Sequence, residues 1–206
     1  FLAQGNTVEV ASIDLMRSDI YLALNLWQEA YSLAQEACPV FADAGMAWEM
    51  ARLYLNQAAA LARLNPRQVP TAVLSQARQL FTQEGNEIWL AMTDLYEATL
   101  AWRRGDWQTA VPQAQQARIT FHNNGFQSQA VQCTIILGEI AHVRDRYDEA
   151  AALFAEAMVY LQQVDLPALA YACHFGLGQT HQAQNQPAEA QNQYRQAITD
   201  IERLQA

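Results

Sequence analysis

The stretch FHNNGFQSQAVQCTIILGEIAHVRDRYDEAAALFAEAMVYL, residues 121–161, decides the fold. It opens on Phe121 and closes on Leu161, 40 residues later. Phe1, Phe41 and Phe81 stand on the same row before it, and Ile201 continues the row after it. Gly125 belongs with Gly5, Gly45 and Gly85, a row that Asp165 breaks. Ala157 shares a row with Ala37, Ala77, Ala117 and Ala197, and Ala150 with Ala30, Ala110 and Ala190, where Pro70 is the exception. A fixed period of this length means stacked units, each too small to bury its own apolar face.

The residue types say what each unit is. An alanine at a fixed helical position lets two helices approach closely, and a large apolar residue four places on, as in Ala37 and Phe41, lies on the same face. Glycine shortly after that residue suits the left-handed position that ends a helix. The first half of each block is helical too. Ile88, Ala91, Leu95, Ala98, Ala101 and Trp102 recur at spacings of three and four. Each unit therefore reads as helix, short turn, helix. The turns carry start signals: Asp145 is expected at an N-cap with Asp148 in the first turn, Asn25 with Gln28 in a capping box, and Pro187 at a helix opening. Pro39 predicts a kink or an early end to its helix. The turn Leu64–Pro70, with two prolines, is expected to be longer than the others, with a helix starting near Thr71.

Leu137-Gly138, Ala141, Tyr147, Ala150, Phe154 and Ala157 resemble the signature of the tetratricopeptide repeat, as do Leu177-Gly178, Ala190, Tyr194 and Ala197. The first three blocks have Ser18, Ala58 and Ala98 where that family prefers a small residue, often glycine. The long repeat is similar to the variety in kinesin light chains and bacterial signalling proteins. The resemblance implies an all-α, right-handed α-solenoid of about five helix-turn-helix repeats of 40 residues. The expected repeats are 6–45, 46–85, 86–125, 126–165 and 166–206 in one array, with residues 1–5 the tail of a preceding repeat and the whole a fragment of a longer protein. It implies a scaffold that binds a protein or peptide segment. The ending Tyr194–Leu204 resembles the last helix before a CHAT peptidase domain. That resemblance implies the alternative of a regulatory arm controlling a larger enzyme, with other domains of the same chain as partners.

Composition excludes several classes. The net charge of −9, with all twelve basic residues arginine, argues against nucleic-acid binding. No apolar run approaches the ~18–20 residues of a membrane span. The three cysteines, Cys38, Cys133 and Cys173, are sparse and odd in number, which fits unpaired thiols in a cytoplasmic protein. A thiol–imidazole site is not expected, because Cys173 and His174 are sequence neighbours and point to different sides of a helix. Neither catalysis, nor a cofactor, nor a metal is expected. Trp27, Trp107 and Tyr147, equivalent residues at the start of second helices, read as packing residues, as do Trp48 and Trp89.

The family resemblance implies that first helices line a concave groove. Asp19, Arg52, Leu55, Arg63, Leu95, Trp102, Arg103, Ile135, Glu139 and His142 map to it. Arg63 and Arg103 are equivalent, and with Arg52 and Trp102 they are expected to offer a cationic, aromatic patch to a carboxylate on a partner. Glu139 and His142 complete the candidate partner-binding set.

Overall fold

The computed structural model describes residues 2–65 and 69–205, with side chains from residue 7 onward. The turn residues 66–68, and with them part of the expected long turn, lie outside the described residues. Ten α-helices and no strands occur among the described residues: α1 (Leu2–Ala23), α2 (Trp27–Asp43), α3 (Ala47–Leu64), α4 (Thr71–Gln83), α5 (Glu87–Arg103), α6 (Trp107–Asn123), α7 (Gln127–Val143), α8 (Tyr147–Leu161), α9 (Pro167–Ala183) and α10 (Pro187–Gln205). Helices α3, α5, α7 and α9 start at 47, 87, 127 and 167, so the sequence period is also the structural one. The helices fall into two compact units, Phe1–Tyr96 and Glu97–Ala206, with the boundary inside α5.

Each unit is held by its alanine rows. Ala37, Ala77, Ala117, Ala157 and Ala197 are all buried, and so are Ala30, Ala110, Ala150 and Ala190. In the first unit Phe41 packs with Ala11, Leu15, Ala34, Ala37 and Leu53, which joins α2 to α1 and α3. In the second, Phe154, Ala157 and Leu161 of α8 pack with Val131 and Ile135 of α7 and Cys173 and Leu177 of α9. Four bulky side chains, Phe41, Phe81, Phe121 and Phe154, are fully enclosed, each contributing roughly 1.5–3 kcal/mol of burial.

One turn recurs throughout. Asn25, Gly45, Gly85, Gly105, Gly125, Asp145 and Asn185 all have positive φ, between 58° and 80°. At each, two backbone bonds close the preceding helix: Gly45 N–H donates to Ala42 and Met46 N–H to Phe41, and Gly125 N–H to His122 and Phe126 N–H to Phe121. This is the Schellman arrangement. Its hydrophobic clasp is visible where the Phe121 and Phe126 rings lie 6.4 Å apart.

The recurring turn corrects three expectations. Asn25 and Asp145 are not N-caps. Each occupies the left-handed position, and the next residue, Leu26 or Arg146, is the N-cap, with no side-chain capping bond. The residue after the left-handed one must close the helix behind and open the helix ahead, which leaves little room for a dedicated capping side chain. Asp106 does both, accepting from Thr109 N–H at 3.2 Å. Second, α2 runs through Pro39 to Asp43, so of the kink or early end expected there, the early end does not occur. Third, α1 runs unbroken through Gly5, where the preceding repeat was expected to finish. An internal glycine costs a helix only about 1 kcal/mol against alanine and does not by itself stop one. Pro187 and Thr71 open their helices as the sequence reading has them.

Glycines within helices act through size. An ideal Cβ on Gly138 would stand 2.9 Å from Cε1 of Phe154, and one on Gly176 would stand 2.7 and 2.8 Å from Cε1 and Cε2 of the same ring. The Phe154 ring thus rests against two helix backbones, α7 and α9. In the first unit, Ser18 takes the place of Gly138, and its buried hydroxyl donates to the Ala30 carbonyl at 3.1 Å.

Candidate partner-binding surfaces

In the first unit the Arg52 guanidinium is pinned. It pairs with Asp19 and lies 5.0 Å from the Trp48 ring and 5.4 Å from the Trp89 ring. Trp48 and Trp89 meet edge to face at 6.0 Å, and Trp89 stacks on Phe81 at 5.6 Å. Asn56 donates to Asp19 at 2.7 Å and to Ser18 at 3.2 Å. Such a closed network orders the side chains around Arg52. Arg63 is exposed and lies 5.4 Å from the Trp27 ring. Trp27 is therefore half-buried packing surface that also serves as a cation platform, a role repeated by Trp107 beneath Arg144 at 5.9 Å.

In the second unit three of the sequence-nominated residues converge. The Trp102 side chain hydrogen-bonds the Glu139 carboxylate, and the Arg103 charge acts on it as well. Burial nonetheless dominates and pushes the Glu139 carboxyl above its ordinary value, against the pull of both neighbours. His142 stands one helical turn on, with Nδ1 3.2 Å from the Thr180 hydroxyl and its ring 5.6 Å from Tyr147. Leu55, Leu95 and Ile135, nominated for the groove, are buried in the core instead. Helix positions three apart share a face only approximately, and these fall on its inner edge.

Cys38, Cys133 and Cys173 form no disulfide. Burial and the nearby charges of Glu139 and Asp200 push the Cys173 thiol up to about 12, the opposite of what a nucleophile requires. No group of three or more metal-ligating side chains forms among the described residues. Nor is any described helix long and apolar enough to cross a membrane.

The sequence reading missed a groove of about 480 Å³ formed by α6, α7 and α8 in the second unit. Ile119 and Val159, 53% and 63% exposed, line it, together with His122, Tyr160 and Gln163. Arg118 reaches into the same groove. Its Nη1 is buried, 3.5 Å from Glu156 Oε1, and makes no hydrogen bond among the described residues. A signal was present: Ile119 and Val159 are 40 residues apart and both fall on the outward face of a second helix.

Two family profiles described as tetratricopeptide repeat match the chain, one over residues 131–202 and one over 95–159. Solved structures with the same fold include nearly identical TPR-like repeats of a kinesin light chain from Podosopora anserina, at a TM-score of 0.68 and 15% identity, covering 97% of this chain and 98% of that one. A Rap protein complexed with competence and sporulation factor matches at 0.68 and 16%, over 96% of this chain and 65% of that one. The apo form of RapI matches at 0.66 and 13%, over 96% and 85%. No curated protein matches the sequence.

Proposed function

We propose that this chain, which carries tetratricopeptide repeats, works as a scaffold that holds an extended segment of a partner protein. The observation that carries this reading is the groove over α6, α7 and α8. Its volume of about 480 Å³ lies within the range that ligands occupy. It joins exposed apolar side chains, Ile119 and Val159, to Arg118, a half-buried arginine paired with Glu156 at 3.5 Å. A segment with an apolar residue beside a carboxylate matches both features, since a guanidinium grips carboxylate with two parallel bonds. That one similar structure is a Rap protein complexed with competence and sporulation factor supports a fold able to hold such a segment.

Each unit by itself offers nominated first-helix residues to a partner in this reading: Arg52 and Arg63 in the first, and Trp102, Arg103, Glu139 and His142 in the second. The Trp102–Glu139–Arg103 cluster favours it, because it keeps a carboxylate in a poorly solvated place beside a cation. Affinity capture with the chain tests both surfaces. Arg118→Glu should abolish capture of the partner bound by the parent chain, and Arg103→Glu should weaken it, with helix content unchanged in both. Equal capture by all three proteins would defeat the proposal.

The finer alternative, a sensing arm that restrains a CHAT-type peptidase, rests on the resemblance of Tyr194–Leu204 alone. A His and a Cys in a strand-rich segment encoded after Ala206 would support it, and a different downstream sequence would remove it.

A further inference from the structure

Cys38 with Tyr54, Arg78 with Asp94, and Arg118 with Thr134 are equivalent pairs in the 40-residue register. One member of each lies on a second helix and the other on the first helix of the next repeat. Two of the pairs are joined. The Cys38 thiol and the Tyr54 hydroxyl share a hydrogen bond, and Arg78 holds Asp94 at 2.6 Å. Arg118 repeats Arg78 at a similar depth, its side chain 32% exposed against 36%. Where Asp94 would recur, however, stands Thr134. Thr134 is buried, and its hydroxyl donates to the Ala130 carbonyl of its own helix at 3.0 Å. The register keeps the arginine and removes the carboxylate that answers it one repeat earlier. In exchange Arg118 has Glu156 of α8, whose side chain is 61% exposed, with Oε1 3.5 Å from Nη1. An ion pair so exposed contributes little, so an incoming carboxylate can replace Glu156.

We propose that a partner supplies this carboxylate: an aspartate or glutamate side chain of an extended segment enters the groove over α6, α7 and α8 and takes Arg118 as Asp94 takes Arg78. This rests on the scaffold reading above and names what the groove selects. Val131 and Thr134 of α7 are its buried floor, and Ile119 of α6 and Val159 of α8 are its exposed walls. Alternate side chains of an extended segment share a face, so an acidic residue with a bulky apolar residue about two places away presents both to the groove. The acid belongs to a side chain, because the lining follows α6 from Arg118 to Asn123 and α8 from Glu156 to Gln163, which lets a segment pass between the two helices. Glu156 stays close enough to repel a second negative charge, so the groove favours a monoanionic carboxylate over a phosphate.

The test starts from a library of random peptides displayed without a free C-terminus and selected on the parent chain. Enriched peptides should carry Asp or Glu with an apolar residue about two places away. One enriched peptide, synthesised with an amidated C-terminus, is then titrated calorimetrically into the parent chain and three variants. Arg118→Gln should weaken binding roughly tenfold or more. Glu156→Gln should tighten it by up to about fivefold, because it removes the internal competitor. Thr134→Asp rebuilds the Arg78–Asp94 pair within the chain and should block binding. Should Thr134→Asp fail to fold, the other two variants, both at solvent-accessible side chains, decide the matter. Replacing the peptide's acid by its amide should weaken binding to the parent chain and leave binding to Arg118→Gln unchanged. Enrichment of peptides without an acidic residue, equal binding to the parent chain and Arg118→Gln, or weaker binding to Glu156→Gln would each overturn the proposal. Enrichment only from a library displayed with free C-termini would overturn the choice of a side chain. Peptides that ignore Arg118→Gln but lose affinity for Arg103→Glu would overturn this inference and leave the scaffold reading standing.

Discussion

Replacing Gly176 by alanine sets a methyl group against the ring of Phe154. Two opposed effects follow, and their sizes decide the outcome. Alanine is favoured over glycine inside a helix by about 1 kcal/mol. The new Cβ, however, would stand 2.7 and 2.8 Å from two ring carbons of a phenylalanine with no exposed surface. The ring cannot swing into solvent, because Ala150, Ala157, Leu161 and Leu177 enclose it. Overpacking of this kind costs about 1–3 kcal/mol, so the net change should be a loss of up to about 2 kcal/mol. In a Phe154→Leu background the obstacle shrinks and the propensity gain should show, so the same substitution becomes neutral or stabilising. The double-mutant cycle should then give a coupling of about 1–3 kcal/mol. Urea unfolding with hydrogen exchange on α8 and α9 amides suits the measurement, since repeat arrays can open locally. If Gly176→Ala stabilises the parent chain as much as it does the leucine background, the ring does not rest on α9 and the size argument is wrong.

Four further outcomes are expected. Ala117→Phe, at a residue with no exposed surface, should destabilise by about 1–3 kcal/mol in denaturant unfolding, and full tolerance would mean the alanine row is not at a close helix contact. Gly125→Ala should cost about 1–2 kcal/mol at a φ of 80°, whereas Asn25→Gly, at 61°, should raise the melting temperature, and equal effects of the two would deny the turn its role. Glu139 has a raised folded-state pKa, so its contribution is fully present at pH below the ordinary carboxyl value of 4.5 and is lost as pH rises through the raised one. Glu139→Gln should therefore gain stability relative to the parent chain between pH 4 and pH 7, and parallel pH profiles would contradict the burial argument. Trp102→Ala and Arg103→Ala should leave the helix content nearly intact while weakening partner capture, and unfolding of either variant would make those residues structural.

Architecture was legible because it repeats. The Phe41, Phe81 and Phe121 row and the Ala117 row each state the same contact several times, so chance agreement is small. The turns were half legible. Glycine at 45, 85 and 125 announced the left-handed position, but the intervening turns fill it with Asn25, Asp145 and Asn185 as well as Gly105. Asn and Asp are common both there and at N-caps, so the residue type alone cannot choose. The candidate site was least legible. Arg52 reads as a free cation in sequence, but its aromatic sandwich depends on Trp48 and on Trp89, which sits 37 residues further along the chain. Pairings of that kind follow from packing, which the period implies only in outline.

The turns also explain why the repeats depend on their neighbours. Met46, Phe126, Leu26 and Arg146 each close one helix and open the next without a capping side chain. A helix start lacking its cap typically gives up ~1 kcal/mol. Here an apolar residue stands at three of these four positions, and it is useful only if the preceding helix ends beside it, as Phe126 does beside Phe121. Local stability has thus been exchanged for contact across the turn. A single pair cut from the chain would keep the uncapped start and lose the surface that compensates for it.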